Sequence, residues 1–423
     1  MARLRSVVVL SAATGAVTGF LVALFDTIVV EWLADGVSEL PLWAVAVLPT
    51  VGLAVAALSL RWLGPASRVT TPETADAYLQ AFHDPHRPLG LRAVPARMIA
   101  AIATLGSGGA MGLEGPSLYL GATLGAATQR RLGRNRAVRW LQTADRRVLM
   151  VAGAAAGVAA IFKAPATGAV FALEVPYVDD FARRMLLPAL IASATGYLAF
   201  VAVNGTTPIF PVSSSPDLTA VDLFGALAIG IVAGFAARGF TLLLRLAKRV
   251  ALSPHVAVRV VTAGMTLAAL FAIGRGVTGE SVAIGTGYNT LAWATTGDHA
   301  VWVLLVVLLL RIIATSATVA GGGAGGLFIP LVVAGALLGR AAGGIFDGID
   351  TQVAVVIGVA AFLGAGYRVP LAAVVFVAET TGRAGFIVPG LLAAVAAELV
   401  MGRASVTAYQ QRLTSSDVDS GDG

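Results

Sequence analysis

The residue best placed to do chemistry is one carboxylate among glycines, Glu114 in the segment GSGGAMGLEGPSLYLGATLG that ends at Gly125. The glycines let the backbone approach a ligand closely, and Pro116 suits the first turn of a helix. A helix N-terminus offers unpaired N–H groups and a partial positive charge, which together attract a small anion. Glu114 and the amides around Gly115 therefore predict an anion site that the carboxylate occupies when ionised and leaves when protonated. The alternative is that Glu114 only caps a helix start.

A second glycine-rich block, AGGGAGGLFIPLVVAGALLG, ends at Gly339 and aligns with the first without gaps at an offset of 214 residues. Phe328 is the counterpart of Glu114, so the duplication itself does not require a carboxylate. The backbone amides of Leu327 and Phe328 are predicted to bind the same anion. Any single glycine in these blocks could instead serve only close helix contact.

A second repeated pair follows in the same order, because FKAPATGAVFALE, ending at Glu174, matches YRVPLAAVVFVAE, ending at Glu379, at an offset of 205 residues. Two ordered matches indicate a duplicated chain. Membrane proteins built from two such halves often arrange them as an inverted pair, with the substrate near the midplane where broken helices meet. We therefore expect the two glycine-rich blocks to converge at the centre of the molecule.

The composition requires most of the chain to face lipid, since 57% of its residues are hydrophobic and 12% are charged. Several apolar runs are shorter than the roughly 20 residues of a straight membrane span. The predicted fold is an all-α polytopic integral membrane protein of short, tilted and broken helices. We expect a first half at 1–205, a linker at 206–218, a second half at 219–412 and a disordered tail at 413–423.

Other classes of function lack their usual residues. The chain has no cysteine, and its four histidines lie in polar segments, so no metal site or cofactor is expected. No nucleophile and base stand together in a motif, and an enzyme is not expected. The positive stretch from Arg130 to Arg147 is interpreted as a cytoplasmic loop and not as a nucleic-acid site.

Helix ends are predicted at four further charged residues that the repeat relates in pairs. Lys163 and Arg368 are expected to set helix ends at the water boundary. Asp145 and Asp350 fit N-caps of the helices that follow them.

Three motifs resemble those of one family, the CLC chloride channels and chloride/proton antiporters. GLEGP resembles the family's G(K/R)EGP, GGLFIP its GGxFxP, and FKAPATGAVFALE its FxAPxxGxLFxxE. The resemblance implies a homodimer in the lipid bilayer, in a bacterial or archaeal plasma membrane, with one anion pathway per subunit. It also implies that Glu114 is the gating glutamate and that the amides of Leu327 and Phe328 bind the central anion.

The chain departs from the family pattern at the side chains that contact the anion. Leu113 replaces the basic residue that commonly precedes the gating glutamate. In RVTTPE, which matches the family's GSGIPE, Val69 stands at the serine position and leaves Thr70 as the nearest hydroxyl. Near the C-terminus either Thr407 takes the place of the pore tyrosine or the backbone shifts to bring in Tyr409.

Proton coupling is the open question of the sequence. Val175 stands where antiporters of the family carry an inner proton-transfer glutamate. The leading hypothesis is a passive or loosely proton-coupled pathway for chloride, another halide or nitrate. The alternative is a strictly coupled chloride/proton antiporter that uses another inner acid, such as Glu174, although Glu174 and Glu379 could equally share a structural role.

Overall fold

The computed structural model describes residues 2–38, 40–64, 74–133, 145–178, 180–207, 210, 212, 214–216, 219–345 and 348–412. The predicted ligand Thr70, its neighbour Val69 and the predicted tail at 413–423 lie outside the described residues. Within those residues the chain consists of helices and the turns and loops that connect them, with no β-strand.

The described part of the first half of the chain contains eight main helices. After the first of them the chain continues as a π-helical segment, Thr27–Ala34, and a short helix, Asp35–Ser38. The eight helices are α1 (Ala2–Asp26), α2 (Leu42–Trp62), α3 (Thr74–His83), α4 (Val94–Gly106), α5 (Glu114–Leu132), α6 (Val148–Phe162), α7 (Pro165–Glu174) and α8 (Leu186–Asn204).

The second half repeats this order of helices. A 3₁₀ turn precedes the last helix of each half, Arg183–Met185 before α8 and Ala384–Phe386 before the last helix of the chain. The helices of the second half are α9 (Ala220–Ala251), α10 (Val256–Thr278), α11 (Tyr288–Thr295), α12 (Val301–Gly321), α13 (Phe328–Gly343), α14 (Thr351–Tyr367), α15 (Pro370–Thr381) and α16 (Ile387–Met401). The duplication seen in the sequence is thus confirmed as a duplication of structure.

Reciprocal contacts between equivalent residues show that a two-fold axis relates the halves. The amide of Ala110 donates to Thr318 Oγ1, and the amide of Ala324 donates to Thr104 Oγ1, both at 3.1 Å. The offset of 214 residues pairs Thr104 with Thr318 and Ala110 with Ala324. A contact from i to j that is repeated from j to i is the mark of two-fold symmetry.

The helices α7 and α15 give the direction of that axis. Glu174, at the end of α7, accepts hydrogen bonds from the Leu371 and Ala372 amides at the start of α15, at 3.0 and 2.7 Å. Glu379, near the end of α15, accepts a 2.8 Å hydrogen bond from the Thr167 amide at the start of α7. The two helices are therefore antiparallel neighbours. An axis that relates antiparallel membrane helices lies in the membrane plane, as an inverted repeat requires.

The lengths of the helices agree with an integral membrane protein. Seven helical segments in the described part of the chain are long and apolar enough to cross a membrane. Four apolar helices are only 10–17 residues long, as expected for helices that stop inside the bilayer: Val148–Phe162, Phe328–Gly343, Thr351–Tyr367 and Pro370–Thr381. Large apolar side chains such as Phe224 and Leu399 are exposed on the outer helices.

The short central helices are almost wholly buried, and small residues let them pack closely. A Cβ atom on Gly121 of α5 would overlap the carbonyl oxygen of Gly153 in α6, and the reverse also holds. The equivalent pair in the second half, Gly335 and Gly358, meets in the same way. Close backbone approach at small residues is how membrane helices gain packing energy where no hydrophobic drive exists.

Three of the four predicted helix-end residues lie as expected. Lys163 and Arg368 adopt left-handed conformations, with φ of 52° and 59°, and end α6 and α14. The Asp350 side chain caps α14. The prediction for Asp145 was wrong by two residues, because a turn from Asp145 to Val148 precedes α6 and makes Arg147 the N-cap residue.

Candidate functional site

The two glycine-rich turns meet at the centre of the molecule. Gly112 and Gly326 pair as an isolated antiparallel bridge. The distance from Gly112 N to Gly326 O is 2.9 Å, and that from Gly326 N to Gly112 O is 2.7 Å. Each glycine lies two residues before the first residue of a helix, Glu114 in α5 and Phe328 in α13. The prediction that the two helix N-termini converge is therefore confirmed.

The Glu114 carboxylate lies across both helix starts. Its side chain is 2% exposed, and Oε1 accepts a 2.6 Å hydrogen bond from the Phe328 amide at the start of α13. The second oxygen, Oε2, is buried and has no hydrogen-bond partner among the described residues. The carboxylate oxygen thus lies on the Phe328 amide, at the position that the sequence analysis predicted for a bound anion.

Glycine is required on both sides of this carboxylate. A Cβ atom on Gly326 would overlap Glu114 Oε1 and lie 2.6 Å from the Gly115 amide nitrogen. A Cβ atom on Gly112 would overlap Glu114 Oε2. The glycine pair therefore leaves space for one small anionic group between the two backbones, whether that group is the carboxylate or a free anion.

The Phe328 side chain points away from the anion position into a buried aromatic cluster. Its ring centroid lies 4.3 Å from that of Phe162, 5.3 Å from Phe171 and 5.0 Å from Phe376. The Tyr367 ring is 6.5 Å away. The cluster holds the start of α13 with the Phe328 amide on Glu114, and the anion-binding role of the Leu327 and Phe328 amides stays a prediction.

The C-terminal segment with Thr407 and Tyr409 packs beside this cluster. The Val406 amide donates to the Gly366 carbonyl at 2.9 Å, next to Tyr367 in the chain. Thr407 is buried, and its Oγ1 accepts a 3.4 Å hydrogen bond from the Tyr409 amide. Among the described residues no hydrogen bond joins Thr407 to Glu114 or Phe328, so its anion-binding role stays a prediction.

Glu174, the predicted inner acid, has both carboxylate oxygens on the N-terminal amides of α15. Val175 follows it and is buried. The Val175 carbonyl accepts a 3.1 Å hydrogen bond from Gln410 Nε2, which also donates to the Tyr367 carbonyl at 2.8 Å. Gln410 Oε1 is buried without a hydrogen-bond partner in the described part of the chain. Gln410 lies in no motif, so the sequence analysis missed it.

Two further buried charges were also missed. Asp76 of α3 is buried and forms an ion pair with Lys248 of α9, with 2.9 Å between Oδ2 and Nζ. Lys248 Nζ also donates to the Val406 carbonyl at 2.8 Å and so ties the C-terminal segment to both helices. Arg311, in the middle of α12, is 2% exposed. An arginine inside an apolar run is a signal that could have identified it.

Comparison with known proteins agrees with these observations. The family model described as voltage gated chloride channel matches residues 51–402. An H(+)/Cl(−) exchange transporter of Vibrio parahaemolyticus is 27% identical over 93% of this chain and 86% of its own length. The corresponding exchanger of Salmonella typhi is 28% identical over 73% of this chain and 66% of its own length.

Solved structures share the fold. A CLC-type fluoride/proton antiporter superposes with a TM-score of 0.81 at 23% identity and covers 97% of this chain and 98% of its own. A slow cyanobacterial Cl−/H+ antiporter superposes with a TM-score of 0.78 at 21% identity, over 93% of this chain and 94% of its own.

Proposed function

Because the chain belongs to the voltage-gated chloride channel family, which transports anions, we propose that it exchanges chloride or a similar halide or nitrate for protons. Glu114 serves as both gate and proton acceptor in this proposal. The curated relatives are named as proton/chloride exchangers, and this favours coupled exchange over the passive pathway that Val175 suggested.

The observation that carries the proposal is the 2.6 Å hydrogen bond from the Phe328 amide to Glu114 Oε1. An ionised carboxylate accepts strongly from this amide and fills the space between the two helix starts. A protonated carboxyl group loses its charge and with it most of its attraction to the two N-termini. It then yields the position to an anion, so the ionised carboxylate and the anion occupy the site by turns.

The backbone makes this site suitable for transient binding. An ionised side chain at membrane depth costs about 2.5–3.5 kcal/mol on insertion scales. Helix N-termini offset this cost with partial charges and without a full positive charge that would hold the anion too tightly. Leu113 adds no charge beside the gate, so an anion at the Phe328 amide can both bind and leave.

The proton's inner route is the step for which this chain has no acid at the expected place. Glu174 is held by two amides, and Val175 cannot titrate. The unpartnered Gln410 Oε1 beside the Val175 carbonyl supports an ordered water there, because a buried polar atom usually has a hydrogen-bond partner. Water at this place would supply a hydrogen-bonded step for the proton.

The second candidate is an uncoupled anion pathway, which the buried and non-titratable Val175 favours. Under either function we propose that the protein is a homodimer. Each subunit transports independently in this proposal, because one chain alone forms the complete contact between Glu114 and Phe328. We also propose a bacterial or archaeal plasma membrane as its location and a role as a transporter without enzymatic activity.

Flux from liposomes separates the two candidates when chloride and pH electrodes record the same sample. Coupled exchange predicts that an outward chloride gradient drives protons inward against their own gradient. The Glu114→Gln variant, reconstituted at the same density, is the matched control and should move no protons. Chloride flux without proton movement in the unmodified protein would establish the uncoupled pathway.

A further inference from the structure

Arg311 is a buried cation without an acidic partner among the residues that the structure describes. Its Nη1 donates to the carbonyl oxygens of Ile284 and Gly285, at 2.8 and 3.0 Å. Its Nε and Nη2 atoms are buried, and neither has a hydrogen-bond partner in the described part of the chain. No described carboxylate forms an ion pair with it. A full positive charge therefore lies in the protein interior, and only Nη1 has hydrogen-bond partners among the described residues.

Support of the loop between α10 and α11 does not account for this arrangement. The two carbonyl contacts through Nη1 are sufficient to hold the loop. A buried charge is costly unless it is paired, and idle donors on it add to that cost. Ionisable residues inside a membrane protein commonly mark the path of an ion.

The unused Nη2 atom lies directly behind the wall of a cavity. A Cβ atom on Gly287, which has a φ of +104°, would lie 2.9 Å from Nη2 and 3.1 Å from Ile329 Cγ2. Ile329 follows Phe328, so the guanidinium lies beside the start of α13. Gly287 also lines a cavity of about 440 Å³ between this loop and the Gly106 to Gly108 turn that leads to Glu114. Nη2 is buried and Arg311 does not itself line the cavity, so its charge acts on the cavity across the Gly287 backbone.

The other charges on the cavity wall do not replace Arg311. Arg275 and Glu280 line it, and both are exposed. Their opposite charges offset one another, and solvent screens them. The buried Arg311 is screened far less and is the dominant positive charge for an anion that enters from this side.

We propose that Arg311 holds a small monovalent anion on the cavity floor beside Gly287, as a waiting site before the anion reaches the Phe328 amide. The assignment of chloride-like anions to this site rests on the proposed function. The cavity is large enough for an anion that keeps part of its water shell, since one water occupies roughly 30 Å³. Leu113 replaces a basic residue beside the gate, and Arg311 of α12 thus provides a positive charge near the pathway instead.

Bromide diffraction on the full-length protein tests the site without reference to transport. Crystals soaked in bromide should show an anomalous peak on the cavity side of Gly287, separate from any peak at the Phe328 amide. The peak should vanish in Arg311→Gln and persist at lower occupancy in Arg311→Lys, which keeps the charge. Arg275→Gln, at the exposed rim, is the control and should retain it.

Flux kinetics then separate a waiting site from an adventitious one. The anion concentration for half-maximal flux should rise about tenfold in Arg311→Gln and less in Arg311→Lys, with maximal flux within about twofold of the unmodified protein. An unchanged half-maximal concentration despite the bromide peak would mean an adventitious ion only and would overturn the inference.

The diffraction experiment distinguishes failure of the waiting site from failure of the proposed function. Bromide at the Phe328 amide with none at Arg311 in the unmodified protein removes the waiting site and leaves the proposed function intact. Bromide at Arg311 with none near Phe328 in either the unmodified protein or Glu114→Gln supports the waiting site and counts against the proposed gate. Absence of bromide at both places overturns the inference as well.

Discussion

Two pairs of helix starts in this molecule meet carboxylates in opposite ways. At α7 and α15 the duplication keeps both acids, and Glu174 and Glu379 each bind the N-terminus of the other helix. At α5 and α13 only one acid is present, because Phe328 stands where the repeat would place a second carboxylate. One pair is symmetric and the other is not.

The difference separates a structural carboxylate from a functional one. At the α7 and α15 pair every carboxylate oxygen has a hydrogen-bond partner, since Glu379 also accepts from the Ala166 amide and from the Thr167 hydroxyl. At the central pair Glu114 has one partnered oxygen and one without a partner among the described residues. A fully bonded carboxylate has little reason to move, whereas a half-bonded one at a shared anion position can exchange with a ligand.

The largest expected effect follows from removal of the asymmetric carboxylate. Glu114→Gln should abolish proton movement and remove the pH dependence of chloride flux, because a neutral amide no longer competes with the anion as the proton concentration changes. In the unmodified protein flux should rise as pH falls, since protonation releases the carboxylate from the Phe328 amide. Chloride efflux from liposomes over a pH series measures both. A well-folded variant that keeps the original pH profile would rule out the gating role.

The symmetric pair should behave in the opposite manner. Glu174→Gln and Glu379→Gln should each lower stability by about 1–2 kcal/mol, because each loses the charge that caps a helix N-terminus. Proton-to-chloride ratios should change little in either variant. Thermal unfolding in detergent measures the first effect, and paired electrodes measure the second.

These two variants are matched controls for one another. Loss of proton movement in Glu174→Gln but not in Glu379→Gln would show that Glu174 is the inner acid, and the distinction between the two pairs would then fail.

Two matched substitutions test the symmetry itself. Thr104→Val and Thr318→Val each remove the hydroxyl that accepts an amide from the opposite turn. Each should cost about 1–3 kcal/mol, because a buried N–H is left without a partner. The two losses in unfolding free energy should agree closely. A large loss for one and none for the other would mean that the turns are not equivalent.

The sequence was sufficient for features that depend on repeated spacing. The similar offsets of 214 and 205 residues revealed the duplication, and a glycine-rich turn followed by a proline located both helix starts. Glu114 could be selected because an acid in a glycine-rich membrane segment is rare. The positions of Lys163 and Arg368 followed from their shared place in the repeat.

Residue spacing could not predict contacts between residues that lie far apart in the sequence. Lys248 meets Asp76 across 172 residues, and Gln410 meets Val175 across 235. Neither contact belongs to a repeated block, so nothing in the chain links the partners. Arg311 was visible as a charge in an apolar run, but its lack of an acidic partner appears only when its neighbours are placed around it.

The central claim is that the Glu114 carboxylate and the transported anion compete for the Phe328 amide. Bromide diffraction on the unmodified protein and on Glu114→Gln, at one bromide concentration and at a pH where carboxylates are ionised, tests this claim most directly. Competition for this amide predicts strong bromide density at the former Oε1 position in Glu114→Gln and weak or no density there in the unmodified protein. Equal bromide occupancy in both proteins, or none at the Phe328 amide in Glu114→Gln, would contradict it.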